Sequence, residues 1–357
     1  MFTRTAAIAC LSLALYGSAA AQTQPAVAKP KAEDKAASPS WKISGYMFGD
    51  YYNVLEHHNT ALKGQNGFWF RRMYLTYDNT MTKRVSTRLR LEMNSPGTFT
   101  TKGTLTPYVK DAYVRYAAGR HSVSFGIAPT PTWEFIEGFW GLRAVEKTPL
   151  DLYKWDSSRD FGILALGALN ASKTVGYSFQ VGNGSSTQSE SDKGKVVRGA
   201  LNYRSKQGFV AEGYLDKQDR AGRADYSTWQ LFAGIQKPKY RLGAQYAAQT
   251  RQPATATGAD LNLEMASVFA AATVAPRVSL FARVDRNFDP VPGGETIDYV
   301  AISDKATSTM TILGVDISVD KPLRLIPSVA IVTYGEDAKG VRVGKDVITK
   351  MTVYFTW

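Results

Sequence analysis

The sequence predicts an all-β fold: a transmembrane, antiparallel, up-and-down β-barrel of about sixteen strands, with its long third loop folded inward. Three observations carry this expectation. Stretches of about ten residues alternate apolar and polar side chains. Short and long connections take turns between those stretches. No apolar run approaches the roughly 18 to 20 residues that a spanning helix needs.

The alternation is clearest in VSTRLRLEMN, where Val85, Thr87, Leu89, Leu91 and Met93 fall on one face and Ser86, Arg88, Arg90, Glu92 and Asn94 on the other. TVGYSFQV sets Val175, Tyr177, Phe179 and Val181 against Thr174, Gly176, Ser178 and Gln180. KYRLGAQYAAQ opposes Tyr240, Leu242, Ala244 and Tyr246 to Arg241, Gly243, Gln245 and Gln249. In DVITKMTVYFTW, Val347, Met351, Val353, Phe355 and Trp357 face away from Ile348, Lys350, Thr352, Tyr354 and Thr356. A soluble β-sandwich also alternates, but it would bury one face in a dry core. Arg88, Arg90, Arg115, Glu212 and Arg283 would be costly there and are natural along a wet lumen. Trp41, Tyr77, Tyr108, Tyr116, Trp229 and Tyr240 stand near strand ends, where an interfacial aromatic girdle is expected.

Short links fall near 80–84, 117–121, 170–173, 205–207, 236–239, 274–277 and 319–322. Longer polar ones fall near 57–66, 95–106, 129–157, 183–194, 217–225, 251–260, 288–305 and 335–345. Tight turns on one rim and long loops on the other are the habit of outer-membrane barrels, and the tally gives about sixteen strands. Residues 41–55, 159–169, 261–273 and 306–334 alternate poorly, so about fourteen strands stays open.

Arg4, the apolar run from Ala6 to Tyr16 and Ala19-Ala20-Ala21 before Gln22 read as a cleaved export signal over 1–21. The only cysteine, Cys10, leaves with it, so the mature chain offers no disulfide or thiol chemistry. Residues 22–40 hold no aromatic side chain and are rich in Ala, Lys and Pro, the composition of a flexible periplasmic leader. The barrel is expected over 41–357, in a bacterial outer membrane. The formal charge of +12 suits anionic partners. Export makes nucleic acid an unsuitable one.

Candidate functional residues follow from the wet face. Arg88, Arg90, Arg115, Arg198, Arg204, Arg241, Arg283 and Lys350 point inward with Glu92, Asp111, Glu212, Asp216 and Asp285, a basic excess. In a narrow, low-dielectric passage such an excess favours anions. The connection over 129–157 is too aromatic for a solvated loop, because Trp133, Phe135, Ile136, Phe139 and Trp140 would make a large apolar patch. It is therefore expected to fold against the wall and narrow the pore, bringing Glu134, Glu137, Glu146, Asp151 and Asp156 with Arg143, Lys147 and Lys154. An acidic loop across from a basic wall would set up a transverse field. A lid or trimer contact on the outside is the other reading of this segment.

Val353, Phe355 and Trp357 on the last strand resemble the C-terminal signal read by the barrel-assembly machinery. The stretches RRMYLTYDNTMTKRVSTRLRLEMN, KDAYVRYAAGRHSVSFGIAPTP, SSRDFGILALGAL and SLFARVDRNFDP resemble, in order and spacing, the phosphate-selective porin family of the outer-membrane porin O and P type. Asp111, Tyr113 and Arg115 on one strand, the loop entry from Gly126 to Pro129, and Arg159-Asp160 carry the likeness. The resemblance implies sixteen strands, a homotrimer and passive solute uptake. The sequence departs from the family in lacking a dense Lys or Arg ladder in the long loop. The expectation is accordingly a water-filled channel for small hydrophilic solutes with a weak preference for anions, phosphate among them.

Catalysis and cofactors are not expected. His121 and Ser122 are adjacent on a strand and so point to opposite faces. His57-His58 has no third ligand nearby in sequence and reads as solvated loop residues rather than a metal site. No phosphate-binding glycine loop is present. The alternative function is a plugged barrel that serves as an outer-membrane anchor or adhesin.

Overall fold

A computed structural model describes residues 39–255 and 257–357. The export signal expected over 1–21 lies outside the described residues, as does all of the expected leader except residues 39 and 40.

The chain forms β1 (Ser40–Glu56), β2 (Asn66–Thr80), β3 (Val85–Met93), β4 (Tyr108–Ala118), β5 (His121–Pro129), β6 (Arg159–Ala168), β7 (Val175–Gly182) and β8 (Val196–Arg204). It continues as β9 (Phe209–Gln218), β10 (Tyr226–Gln236), β11 (Tyr240–Arg251), β12 (Leu261–Ala275), β13 (Val278–Asn287), β14 (Ser308–Asp320), β15 (Leu323–Tyr334) and β16 (Asp346–Thr356). Each strand pairs antiparallel with its predecessor, and β16 returns to β1 through pairs such as Tyr46 with Thr356, so the sheet closes on itself. Closure leaves no unpaired edge. The connections alternate short and long in the order the sequence suggests. Two helices, α1 (Trp133–Trp140) and α2 (Pro149–Leu152), lie in the connection between β5 and β6.

The period-two pattern becomes a two-faced wall. On β10, Trp229 and Leu231 are exposed, Leu231 to 60 %, while Thr228, Gln230 and Phe232 between and beyond them are buried. A single closed sheet can bury only the face it turns inward, so the polar set faces the interior. The poorly alternating stretches are strands too: β1, β6, β12, β14 and β15. Their pattern is blurred because both faces are apolar. β1 buries Phe48, Tyr52 and Val54 while exposing Tyr51 and Leu55, and β15 buries Ile326, Val332 and Tyr334.

Bulges change which residues face in. Phe48 pairs with Arg72 and Gly49 with Phe70, so Arg71 is an extra residue in β2. Arg90 pairs with Asp111 and Leu91 with Val109, so Lys110 is extra in β4. An inserted residue shifts the alternation by one. It brings the neighbours Arg71 and Arg72 to one face, and Lys110 and Asp111 likewise. It also corrects the place of Tyr108, expected in the outer girdle: Tyr108 sits directly across from Glu92 and shares its inward face. Trp41, Tyr77, Tyr116, Trp229 and Tyr240 are exposed on the other side.

Gly126 shows why the loop entry needs glycine. Its φ is +128°, and a Cβ there would collide with the Ala112 carbonyl across the ladder.

Candidate functional site

The connection between β5 and β6 buries apolar side chains in one cluster with residues of the strands. After α1 the chain turns at Gly141, in the left-handed conformation with φ +65°, and its N–H donates to the Glu137 carbonyl. Trp133, Ile136, Phe139 and Trp140 are buried, which removes the apolar patch that a solvated loop would expose. The Phe139 ring packs edge-on to Phe232 of β10 at 5.3 Å, and Trp140 packs on Phe269 of β12 at 5.0 Å.

Polar side chains from strands around the barrel grip this segment by its backbone and its carboxylates. Arg71 of β2 donates to the Val145 carbonyl at 2.7 Å and to the Ala144 carbonyl, while its Nε lies 2.6 Å from Asp50 Oδ2. Arg283 of β13 donates to the Lys147 carbonyl and pairs with Asp285, which accepts from Tyr153 Oη at 3.1 Å. Gln249 of β11 donates to the Trp155 carbonyl at 2.8 Å, and Gln230 of β10 to Thr132 Oγ1 at 2.9 Å. Arg198 of β8 holds Asp156 through Nε and Nη2 at 2.6 and 2.7 Å, and Asp160 at 2.7 Å. Lys350 of β16 lies 3.6 Å from Glu146, and Arg71 4.0 Å from it. Burial works against the charge on Glu146, yet Lys350 and Arg71 outweigh it and hold the carboxyl at about 2.

A cavity of about 400 Å³ lies beside α1. Arg90, Lys110, Arg143, Arg159 and Arg324 line it together with Glu134, Glu137 and Asp151, and the rings of Tyr46, Tyr74 and Tyr354 form part of its wall. Arg143 pairs with Glu137 at 3.2 Å, Arg90 and Arg159 share Asp111 at 3.3 and 2.5 Å, and Lys110 meets Glu92 at 3.0 Å. Burial pushes the Glu137 carboxyl up, against the pull of Arg143. A second cavity of about 270 Å³ is lined by Arg241, Arg324, Lys237 and Lys239. Arg241 Nε has no hydrogen-bond partner among the described residues.

The residues expected to line the wall thus divide. Arg90 stands at the cavity with Glu134, Glu137 and Arg143 of the long segment, and Arg241 at its neighbour. Arg198, Arg283, Lys350, Asp285, Glu146 and the Lys147 backbone belong to the grip on the segment. Glu92 and Asp111 are buried acceptors for the cavity's cations. Glu212 is buried at a separate pocket with Thr132, Glu134 and Arg204. Arg88 pairs with Asp78 at 2.6 Å and Arg115 donates to Ser124 at 2.9 Å, both away from the cavity. Of the loop carboxylates, Glu146 and Asp156 lie against Lys350 and Arg198, Glu134, Glu137 and Asp151 share the cavity with cations of the strands, and Arg143 of the loop joins those cations. Val353 and Trp357 are exposed, and Trp357 exchanges backbone hydrogen bonds of 3.1 Å with Gly45.

Sequence reasoning missed Arg71, Arg72, Lys110, Arg159 and Arg324. The first three depend on the bulges, which no alternation pattern reveals. Arg159 was noted only for its likeness, at the mouth of a strand too blurred to assign a face. His121 faces Tyr177, with its Nδ1 3.1 Å from the phenol oxygen.

No family model and no curated protein matches the sequence. Solved structures do. The chain is similar to an anion-selective porin from Comamonas acidovorans, 13 % identical over 90 % of this chain and 100 % of that one, with a TM-score of 0.66. It is also similar to OmpT, an outer membrane protein of Vibrio cholerae in trimer form, 10 % identical over 90 % and 100 % with a TM-score of 0.62. The outer membrane channel DcaP of Acinetobacter baumannii is 11 % identical over 93 % and 100 %, with a TM-score of 0.60. At such identities the likeness establishes the sixteen-stranded barrel fold.

Proposed function

We propose that the protein is an outer-membrane porin: a channel through which small hydrophilic solutes diffuse, with a preference for anions. One observation carries the reading. The barrel closes with its apolar side chains outside and a cavity inside that holds more guanidinium and ammonium groups than carboxylates. An apolar outer face suits lipid, and a charged inner face suits water. In a narrow passage with low-dielectric walls, surplus positive charge raises the local concentration of anions.

The segment between β5 and β6 acts as the constriction. It touches side chains from β2, β8, β10, β11, β13 and β16, a spread around the circle that a segment lying across the interior can reach. Its bound position leaves the cavity beside α1 as the passage, lined by Arg143 and Glu137 of the segment and by Arg90, Lys110 and Arg159 of the strands. The arrangement supports selection by pore width and charge, with no bond made or broken. The likeness to an anion-selective porin of Comamonas and to the trimer form of OmpT adds weight to anion preference and to a homotrimer. The export signal over 1–21, the leader after it, and recognition of Val353, Phe355 and Trp357 during assembly complete the proposed route to the membrane.

The test is planar-bilayer electrophysiology of the purified protein. Stepwise single-channel currents, with a reversal potential in a KCl gradient that favours chloride, are expected. Absence of conductance would favour a plugged barrel acting as an anchor, and a cation-favouring potential would defeat the anion reading.

A further inference from the structure

A second cluster of ionisable groups lies where β16 closes on β1, away from the cavity. His57 and His58 follow β1 directly, Asp346 opens β16, Tyr334 ends β15, and Glu295 comes from the connection between β13 and β14. Adjacent histidines lacking a third ligand suggested solvated loop residues. The structure overturns that: His57 is 5 % exposed, the His58 side chain 7 %, and the third group arrives from 288 residues away.

One ligand atom from each of His57, His58 and Asp346 lies within 4.8 Å of the others. His58 Nδ1 is 2.9 Å from Asp346 Oδ1, and His57 Nδ1 is 3.8 Å from that same oxygen. A tetrahedral zinc ion with bonds of about 2.0 to 2.1 Å holds its ligand atoms roughly 3.3 Å apart, between these two distances. The surroundings match what a metal ligand needs. The far nitrogen of His58, Nε2, lies 3.0 Å from Glu295 Oε1, the carboxylate–histidine pairing that fixes a ligating ring's tautomer. Tyr334 Oη donates to Asp346 Oδ2, and Oδ1, which accepts the His58 backbone N–H, keeps a further lone pair for the ion. The Asn59 N–H donates to His57 Nδ1 at 3.0 Å, so that nitrogen carries its lone pair, and a metal would take the place of this one hydrogen bond.

We propose that His57, His58 and Asp346 form a binding site for a divalent transition-metal ion of the zinc class, with water as the fourth ligand and Glu295 and Tyr334 as positioning residues. Two nitrogens and one carboxylate oxygen suit zinc or cobalt better than calcium or magnesium, which prefer all-oxygen sites. The ion would tie the first strand to the last and draw in the connection that bears Glu295.

Full-length protein stripped with a chelator and titrated with Co²⁺ tests this directly, because a low-coordinate cobalt site absorbs in the visible and Zn²⁺ should bleach it. The expected result is one metal per chain retained after gel filtration, with affinity falling about tenfold or more in Glu295→Gln and further in His58→Ala. His121→Ala, which changes the remaining one of the chain's three histidines, should bind as the unaltered protein does. A folded, unaltered protein that gives no cobalt band and retains no metal overturns the proposal. So does a folded His58→Ala variant that binds as well as the parent. The first of these needs no variant, so a substitution that fails to fold leaves the test intact.

Discussion

Two sets of cations face the barrel interior, one buried and one half-buried, and they do opposite things with the same side chains. Arg71, Arg198 and Arg283 hold carboxylates at salt-bridge distance, and Arg71 and Arg283 also donate to backbone carbonyls of the central segment. Arg90, Lys110, Arg143, Arg159 and Arg324 also have carboxylate partners but border open space. A guanidinium whose donors are all committed anchors structure. One that keeps a face toward a cavity can still meet a passing ion. Charge counted from sequence therefore overstates what a solute meets, because the gripping set contributes little to the field that it feels.

Removing a gripping arginine should have the largest effect. Arg283→Ala leaves Asp285 buried beside Tyr153 with its partner gone, and breaking such a buried pair costs about 3 to 5 kcal/mol. The variant should unfold at lower temperature or denaturant, and its single-channel conductance should rise or become noisy as the segment loosens. Unchanged conductance would erase the distinction between the two sets.

Substituting at the cavity should do the reverse. Arg143→Gln is expected to lower the anion-to-cation permeability ratio by about twofold or more with a stability change of about 1 kcal/mol or less. Reversal potentials and thermal melts of the same preparation check both halves.

Acid separates the sets by titration. Glu137 sits above its ordinary value of 4.5, so as pH falls from neutrality it takes up its proton before ordinary carboxylates do, the cavity loses a negative charge, and anion preference should rise. Glu146 lies below its ordinary value, at about 2, so its contribution to holding the segment is full above 4.5 and is lost as pH falls through about 2. Selectivity should therefore change while conductance levels and melting stay put. Glu137→Gln should flatten the selectivity change.

The smallest effect is expected at Arg88, which pairs with Asp78 near a turn and is partly exposed. Arg88→Gln should change stability by about 1 kcal/mol or less and leave the reversal potential where it was. A large shift in selectivity would move Arg88 into the cavity set.

The barrel itself was legible in the chain because period-two alternation and the rhythm of turns are local properties. Leu89, Phe179 and Leu242 stood out as one face, and the structure exposes all of them. The site was legible only in part. Arg90 and Arg241 announce their direction through neighbours, whereas Arg71 and Lys110 are bulge residues whose direction is set by the partner strand. Blurred strands had a different cause: Phe48, Ile326 and Val332 are apolar on the inner face, where they belong to the same buried apolar cluster as Trp133, Phe139 and Trp140. The meeting of His58 with Asp346 was invisible for the simplest reason, that ring closure joins the two ends of the barrel chain.

The extra residues in β2 and β4 set the axial spacing of charge. A regular strand presents a side chain to the same side only once every 6.6 to 6.8 Å or so. At Arg71-Arg72 and Lys110-Asp111 that interval is halved, so charge is stacked at chosen depths along the axis instead of being spread evenly. Deleting Arg71 outright would restore the regular ladder and thin the stack at that depth, an effect that replacing its side chain cannot reproduce.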